Sequence, residues 1–177
     1  AVGFKDFVSP DTPDIYPEEL RADIDALNVI IYADFNLAVN LAALVTNQKD
    51  YEYYYDRIFA RLDWLEERLS KQRYLMGDTI TGPDIRIFPT LARFDLVFYQ
   101  KYLVNKKRLV DYPNLWNYAK DLYSNPAFGG TTDFDSMRKR FYYVDHTPFE
   151  DLPRLVPKGP DDSIWLEPND RAEKFGK

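Results

Sequence analysis

Apolar residues recur every three to four positions along most of this chain, which is the spacing of helices that bury one face. In the clearest segment, Gln48 to Ser70, Tyr, Ile, Phe and Leu form one stripe and charged residues lie opposite. Further helices are predicted from Pro17 to about Thr46 with a bend near 36–40, from Pro83 to about Tyr102, from Pro113 to Ser124 and from about Phe134 to Tyr143. No strand-like alternation competes with this pattern, so the sequence predicts an all-α fold.

One of these helices carries a strong start signal. Thr81 is placed as the N-cap residue, and Asp84 three positions later has the spacing of a capping box, with Asp in place of Glu. Such a cap contributes about 1 kcal/mol. We therefore predict structural roles for Thr81 and Asp84.

The composition and the apolar pattern of the chain change near its C-terminal end. Prolines recur from Pro148 onward among few periodic apolar residues, which predicts an extended Pro-rich tail packed across the helices, with about the last ten residues loose. The predicted organisation is a leader or linker over 1–15, a helical domain over 16–146 and the tail over 147–177.

Composition narrows the possible functions. The net charge of −6 disfavours nucleic acid as a partner, since phosphate contacts need clustered Lys and Arg. Two short basic runs, 106–108 and 138–140, are interpreted as solvated helix ends. No uninterrupted apolar run approaches the roughly 20 residues of a membrane helix, so no membrane partner is expected. With no cysteine and one histidine, the chain has no thiolate nucleophile, and we expect no metal site and no catalytic residue in it.

A set of ordered motifs identifies a family. Tyr74-Leu-Met-Gly-Asp precedes the capped helix, Arg93-Phe94-Asp95 follows within it, and Tyr142-Tyr143 stands three residues before His146. Together these motifs resemble the helical C-terminal domain of the xi-class glutathione transferases, the glutathionyl-hydroquinone reductases. The resemblance covers roughly residues 16 to 160 and implies a glutathione transferase C-terminal-like helical bundle.

The resemblance implies chemistry that this chain cannot perform alone. Family members look like two-domain proteins in which an N-terminal thioredoxin-like domain binds glutathione, or another low-molecular-weight thiol, and carries the catalytic cysteine. That cysteine removes glutathione from a glutathionyl-hydroquinone. The helical domain is expected to supply the pocket for the aromatic substrate and to form a homodimer, in a cytoplasmic protein whose partner domain precedes residue 16.

The same resemblance nominates site residues. Tyr142 and Tyr143 match the tyrosines of the family's substrate site, and we expect one to line the pocket and the other to pack in the core. Two departures put the hydroquinone substrate in question: Asn40 stands where the family has a tyrosine, and Phe98 replaces a second one. Arg93 and Asp95 are expected to form a structural ion pair or capping network.

Two alternatives remain open at the level of sequence. A non-catalytic transferase-like module for protein–protein assembly would lack a Cys-Pro active site upstream, and a domain that sequesters aromatic molecules would bind quinols but no thiol.

Overall fold

The computed structural model describes Ser9, residues 12–143 and residues 155–176. Its α-helices are α1 (Arg21–Ile31), α2 (Ala38–Leu44), α3 (Gln48–Leu69), α4 (Gly82–Arg93), α5 (Pro113–Ser124), α6 (Pro126–Gly129), α7 (Phe134–Arg138) and α8 (Arg171–Phe175). Three π-helical turns extend or join them, the first at Tyr32–Asn36, the second at Phe94–Phe98 and the third at Lys139–Tyr143. Short 3₁₀ turns cover Glu18–Leu20, Leu109–Asp111 and Asp162–Leu166.

The helices pack around one hydrophobic core. α1 packs against α4, α2 against α3, and α3 against α5. The stripe predicted on α3 is buried at Ile58, Phe59, Leu62, Leu65 and Leu69. Within the described residues there is no strand, only a single antiparallel bridge between Tyr74 and Gly77. The predicted all-α fold is confirmed.

The start of α4 is fixed by a buried carboxylate. One oxygen of Asp84 accepts from the Thr81 backbone N–H at 2.8 Å and from the Thr81 hydroxyl at 3.0 Å. The other accepts from the Leu75 N–H at 2.9 Å and from the Tyr118 hydroxyl at 2.7 Å. Burial raises the pKa of Asp84, and these donors act against that increase. The predicted capping box is present, and it also ties α4 to α5 through Tyr118.

The described part of the tail is more ordered than the sequence suggested. Trp165, in the 3₁₀ turn Asp162–Leu166, is buried against Trp116 of α5 with ring centroids 4.7 Å apart. Arg171, in α8, is 0% exposed and donates to the Leu69 carbonyl at 2.7 Å and the Arg73 carbonyl at 2.6 Å. The expectation that the last ten residues are loose is therefore wrong over 168–176, because Arg171 caps the carbonyl end of α3.

The basic run 138–140 is not entirely solvent-exposed, in contrast to the prediction. Arg138 is buried and pairs with Asp162 of the tail at 2.5 Å, so it is not a solvated helix end. In the other run, the Lys107 ammonium lies 3.7 Å from the centroid of the Tyr112 ring.

The first helical stretch has an unusually apolar outer side. Glu18–Leu44 is, by length and composition, long and apolar enough to cross a membrane, although polar and charged residues interrupt its apolar ones. Its inner face, with Ile24, Leu27 and Ile31, is fully or almost fully buried in the core, so we interpret it as a packed helix. On the outer side, Val29 is 68% exposed and Leu44 is 73% exposed.

Candidate functional site

The three π-helical turns meet in one region of the fold. Phe35 of the first turn stacks on Phe94 of the second, with ring centroids 5.9 Å apart. Phe98 of the second turn meets Phe141 of the third at 6.3 Å. Single π turns inside α-helices occur frequently at functional sites, because the extra residue redirects the side chains that follow. This junction is therefore the first place to look for a site.

Two of the predicted substrate residues lie at this junction. Phe98 is 3% exposed, and its ring centroid lies 5.5 Å from that of Tyr102. Tyr142 is half-buried and donates its hydroxyl hydrogen to the Leu96 carbonyl at 3.0 Å. The Lys101 ammonium lies 5.5 Å from the centroid of the Tyr142 ring. Phe98 and Tyr142 thus support the wall of the junction, and the Tyr142 hydroxyl is already engaged with the backbone.

An open groove of about 470 Å³ adjoins the junction. It lies between the end of α2, the start of α3 and the segment that follows the second π turn. The polar side chains along it include Asn47, Gln48, Tyr51, Lys101 and Tyr102. An aromatic wall, a nearby cation and several hydroxyl or amide groups suit a flat phenolic ligand.

Tyr51, Lys101 and Tyr102 line the groove but are not among the predicted site residues. Tyr51 falls on the apolar stripe of α3, yet its hydroxyl donates to the Leu103 carbonyl at 2.7 Å at the edge of the groove. Burial raises the pKa of Tyr51 and of Tyr142, so both phenols remain protonated at neutral pH. The available sequence signal for Lys101 and Tyr102 is their position three and four residues after Phe98, at the end of the predicted helix.

Among the described residues, none of the predicted substrate residues lines the groove itself, and Phe98 and Tyr142 lie beside it at the junction. Asn40 is exposed on α2, and its amide donates to the Asn36 carbonyl at 2.9 Å, within its own helical stretch. Asn36 in turn donates to the Arg86 carbonyl at 2.9 Å, which fixes the first π turn against α4. The side chain of Tyr143 and all of His146 lie outside the described residues.

Arg93 and Asp95 do not pair with each other. The Asp95 carboxylate accepts from the Leu109 N–H at 2.6 Å and the Val110 N–H at 3.3 Å, and burial raises its pKa. Arg93 donates to the Pro89 carbonyl at 2.6 Å, and no ion pair involves it within the described part of the chain. The ion pair, one of the two expected arrangements, does not form; Asp95 instead caps a turn, as the alternative of a capping network allowed, while Arg93 lines a different pocket.

Comparison with known proteins assigns this architecture. The sequence model of the family described as glutathione S-transferase, C-terminal domain, matches residues 48–121. Glutathionyl-hydroquinone reductase PcpF of Sphingobium chlorophenolicum is 38% identical over 147 residues, covering 83% of this chain and 46% of PcpF. The chain belongs to the glutathione S-transferase C-terminal domain family.

Solved structures agree with this assignment. A glutathione transferase from Gordonia bronchialis matches with a TM-score of 0.91 and 43% identity, over 98% of this chain and 54% of that one. The xi glutathione transferase of Phanerochaete chrysosporium matches with a TM-score of 0.82 and 36% identity, over 90% of this chain and 54% of that one. The recognition of a xi-class helical domain is confirmed.

The chain spans about half the length of the curated relatives that it matches, 46% in the case of PcpF. It contains no cysteine and therefore no thiolate nucleophile of its own. Among the described residues, no group of three or more His, Cys, Asp or Glu side chains is arranged to hold a metal ion.

Proposed function

We propose that this chain is the acceptor-substrate and dimerisation domain of a glutathione-dependent reductase that removes glutathione from glutathionyl-hydroquinones. The catalytic cysteine and most of the contacts to glutathione belong to a thioredoxin-like domain that precedes this one. The observation that carries the proposal is the groove beside the π-turn junction, in a chain whose relatives are glutathionyl-hydroquinone reductases and xi-class transferases.

The proposed reaction has two steps. The cysteine thiolate of the preceding domain attacks the glutathionyl sulfur, the bond from that sulfur to the ring carbon breaks, and the ring carbon takes a proton to give the free hydroquinone. The thiolate of a second glutathione then attacks the mixed disulfide, which releases glutathione disulfide and restores the cysteine thiolate. The helical domain holds the ring of the substrate during the first step, and the second step does not involve the ring.

The residues of this chain bind and orient that ring. Tyr102 lines the groove, and its ring is backed by those of Phe98 and Phe141, since the three rings contact one another. Lys101 is held in place by donating to the Phe141 carbonyl and by its position over Tyr142. Its ammonium group attracts the oxygen of a phenol as negative charge develops there.

The test uses the intact gene product, meaning these 177 residues with whatever precedes them in the same polypeptide. Lys101→Gln should lower kcat/KM for a glutathionyl-hydroquinone by about 100-fold, the loss typical of removing one stabilising donor. The matched control is Lys106→Gln, which removes the same charge from an exposed lysine whose ammonium lies over Phe59 and does not line the groove. Equal activities of the two variants would contradict the assigned role of the groove.

A variant at Asn40 tests whether the ring lies in the groove. Asn40 is exposed and does not line the groove, so Asn40→Tyr restores the tyrosine of the family pattern outside it. We expect kcat/KM for the glutathionyl-hydroquinone to stay unchanged in this variant. A rise would place the ring near Asn40 and contradict its assignment to the groove.

Homodimer formation through the helical domain is part of the proposal. The exposed side chains of Val29, Ile30, Tyr32 and Leu44 give the first helical stretch an apolar outer surface of the kind that protein contacts cover. Val29→Asp should shift sedimentation of the purified chain from dimer to monomer. A wild-type chain that sediments as a monomer at high concentration would refute this part.

A second candidate function is a non-catalytic module for protein assembly or aromatic ligand binding. The same exposed apolar surface favours it, because an assembly module needs such a surface and no thiol. This function is the one to adopt if the intact gene product carries no cysteine in a preceding domain.

A further inference from the structure

The segment that closes one side of the groove contains a residue in an unusual backbone conformation. Leu103 has a φ of 59°, and it is the only residue other than glycine with a positive φ in the part of the chain that the structure describes. A left-handed backbone is unfavourable for residues with a Cβ atom, because that atom lies too close to the following carbonyl oxygen. Helices often end in this conformation, but glycine usually takes the position. A leucine at this point therefore needs contacts that hold it there.

Two long-range contacts hold the backbone on either side of this residue. Val104 is fully buried, and its N–H donates to the Phe98 carbonyl at 3.1 Å. The Leu103 carbonyl accepts from the hydroxyl of Tyr51, a residue of α3 that lies 52 positions earlier in the chain, at 2.7 Å. Residues in such conformations persist where the surrounding structure over-determines them, and they cluster at active sites and ligand clamps. The bond from Tyr51 is therefore a contact that keeps Leu103 in place beside the groove.

The side chain of Leu103 is available to a ligand. It is 57% exposed although it is a large apolar group, and it lines the groove together with Tyr51. The other aliphatic residues along the groove belong to α2 or follow it directly, and they are Ala42, Ala43 and Val45. An apolar group bound between these residues removes apolar surface from water on both sides, which favours binding in proportion to the area buried.

We propose that Leu103 is a specificity-determining residue of the groove, which contacts an apolar substituent, such as an alkyl group, on the ring of the substrate. Tyr51 is a positioning residue, since its hydroxyl holds the Leu103 carbonyl and thereby keeps the leucine side chain in the groove. This inference rests on the proposed function for the class of ligand, a hydroquinone ring. Lys101, two residues earlier in the same segment, is the group assigned to the ring oxygen, so one segment supplies a polar and an apolar contact.

The test measures the binding of free hydroquinones to the intact gene product by anaerobic titration calorimetry. The probes are hydroquinone and tert-butylhydroquinone, and the readout is the ratio of their dissociation constants, because damage to the fold weakens both alike. The wild type should bind the tert-butyl compound about tenfold more tightly, which is the low end of the discrimination that one methylene gives in an apolar pocket. Leu103→Ala should remove most of this preference. The matched control Leu166→Ala truncates a leucine that is 75% exposed and does not line the groove, so it should leave the ratio unchanged.

A double-mutant cycle tests the positioning role of Tyr51. Tyr51→Phe should lower the preference as much as Leu103→Ala does, and in the Leu103→Ala background it should have no further effect, because the side chain that it positions is absent. Tyr54→Phe is the matched control, since Tyr54 is half-buried on the same helix and does not line the groove. Additive effects of the two changes would mean that Tyr51 contacts the ring itself, and they would overturn its positioning role.

The backbone conformation is tested separately from binding. Because glycine adopts positive φ without steric cost, Leu103→Gly should unfold at a higher urea concentration than Leu103→Ala, although both lack the leucine side chain. A lower midpoint for the glycine variant would contradict the left-handed conformation on which the role of Tyr51 depends.

Turnover of a glutathionyl-hydroquinone by the same samples separates this inference from the proposed function. Equal binding of the two probes by the wild type, or a preference that survives Leu103→Ala, would overturn the inference. A preference that depends on Leu103 in a protein that releases no hydroquinone refutes the reductase function and leaves the specificity residue standing. Turnover without such a preference does the reverse.

Discussion

Replacing Asp84 by Asn tests the buried carboxylate that accepts four hydrogen bonds at the start of α4. The change is nearly isosteric, but it exchanges one carboxylate oxygen for an amide NH2 group, which cannot accept hydrogen bonds. The carboxylate currently accepts from the Leu75 N–H, the Thr81 N–H, the Thr81 hydroxyl and the Tyr118 hydroxyl. Whichever way the new amide turns, its NH2 group faces a backbone N–H, either that of Leu75 or that of Thr81, which then loses its acceptor.

The magnitude follows from which donors can adapt. If the amine faces Tyr118 and Leu75, the Tyr118 hydroxyl can rotate to accept, but the Leu75 N–H is left buried and unpaired. An unpaired buried donor costs about 1–3 kcal/mol, and the remaining bonds lose the strength that the negative charge gave them. We therefore expect Asp84→Asn to lower the free energy of unfolding by about 3 kcal/mol. For a chain of this length the corresponding fall in Tm is about 6–12 °C.

Urea denaturation of the 177-residue chain at pH 7, followed by circular dichroism, gives this value directly. Tyr118→Phe is the milder comparison variant. It removes only the hydrogen bond of 2.7 Å from the Tyr118 hydroxyl to Asp84 and leaves no buried donor unpaired, so it should lower the free energy of unfolding by about 1 kcal/mol. The double variant should cost less than the sum of the two, since both changes act on one network. A loss below about 1 kcal/mol for Asp84→Asn would refute the reasoning, because it would mean that the carboxylate is not the anchor of this network.

Two further predictions concern charged groups away from the groove. Arg171→Met leaves the carbonyls of Leu69 and Arg73 without their donor, so it should lower the free energy of unfolding by about 3 kcal/mol. It should also make the tail a preferred site of limited proteolysis. A tail as resistant to the protease as that of the wild type would contradict this prediction. Burial acts to raise the pKa of Asp34, but hydrogen bonds from Arg57 and Arg61 outweigh it and hold the pKa below its usual value. Asp34 thus stabilises the fold above about pH 4 and loses this contribution as the pH falls through its lowered pKa, so Asp34→Asn should flatten the acid limb of urea midpoints measured between pH 6 and pH 3. Parallel curves for variant and wild type would contradict that assignment.

Local signals in the sequence predicted much of the fold. The helix predicted over 48–70 is observed at Gln48–Leu69, because its apolar stripe and polar face leave one way to bury it. The cap at Thr81 was predictable from two residues three positions apart. In contrast, a π turn adds a single residue to a helix, which barely changes the apolar period. The sequence predicts a bend near 36–40, where the first π turn ends, but it predicts none of the three as a π turn.

The candidate site was less predictable because its contacts are long-range. Phe98 and Tyr142 were named from the family pattern and do lie together, through contacts that span more than forty residues. The pattern could not show that the Tyr142 hydroxyl is committed to the Leu96 carbonyl, or that Arg93 and Asp95 point to different partners. The burial of Arg171 could not be predicted, because a lone arginine in a Pro-rich tail has the same local sequence pattern as a solvated one, and its hydrogen bond to the end of α3 is long-range.

The most direct measurement is turnover of the intact gene product with glutathione and a glutathionyl-hydroquinone, followed by chromatographic detection of the free hydroquinone. The proposed function predicts saturable release of hydroquinone together with glutathione disulfide, and its complete loss when the active-site cysteine of the preceding domain is replaced by serine. No release from a folded, intact protein, or a polypeptide without that cysteine, would contradict the central claim and leave an assembly or ligand-binding module in its place.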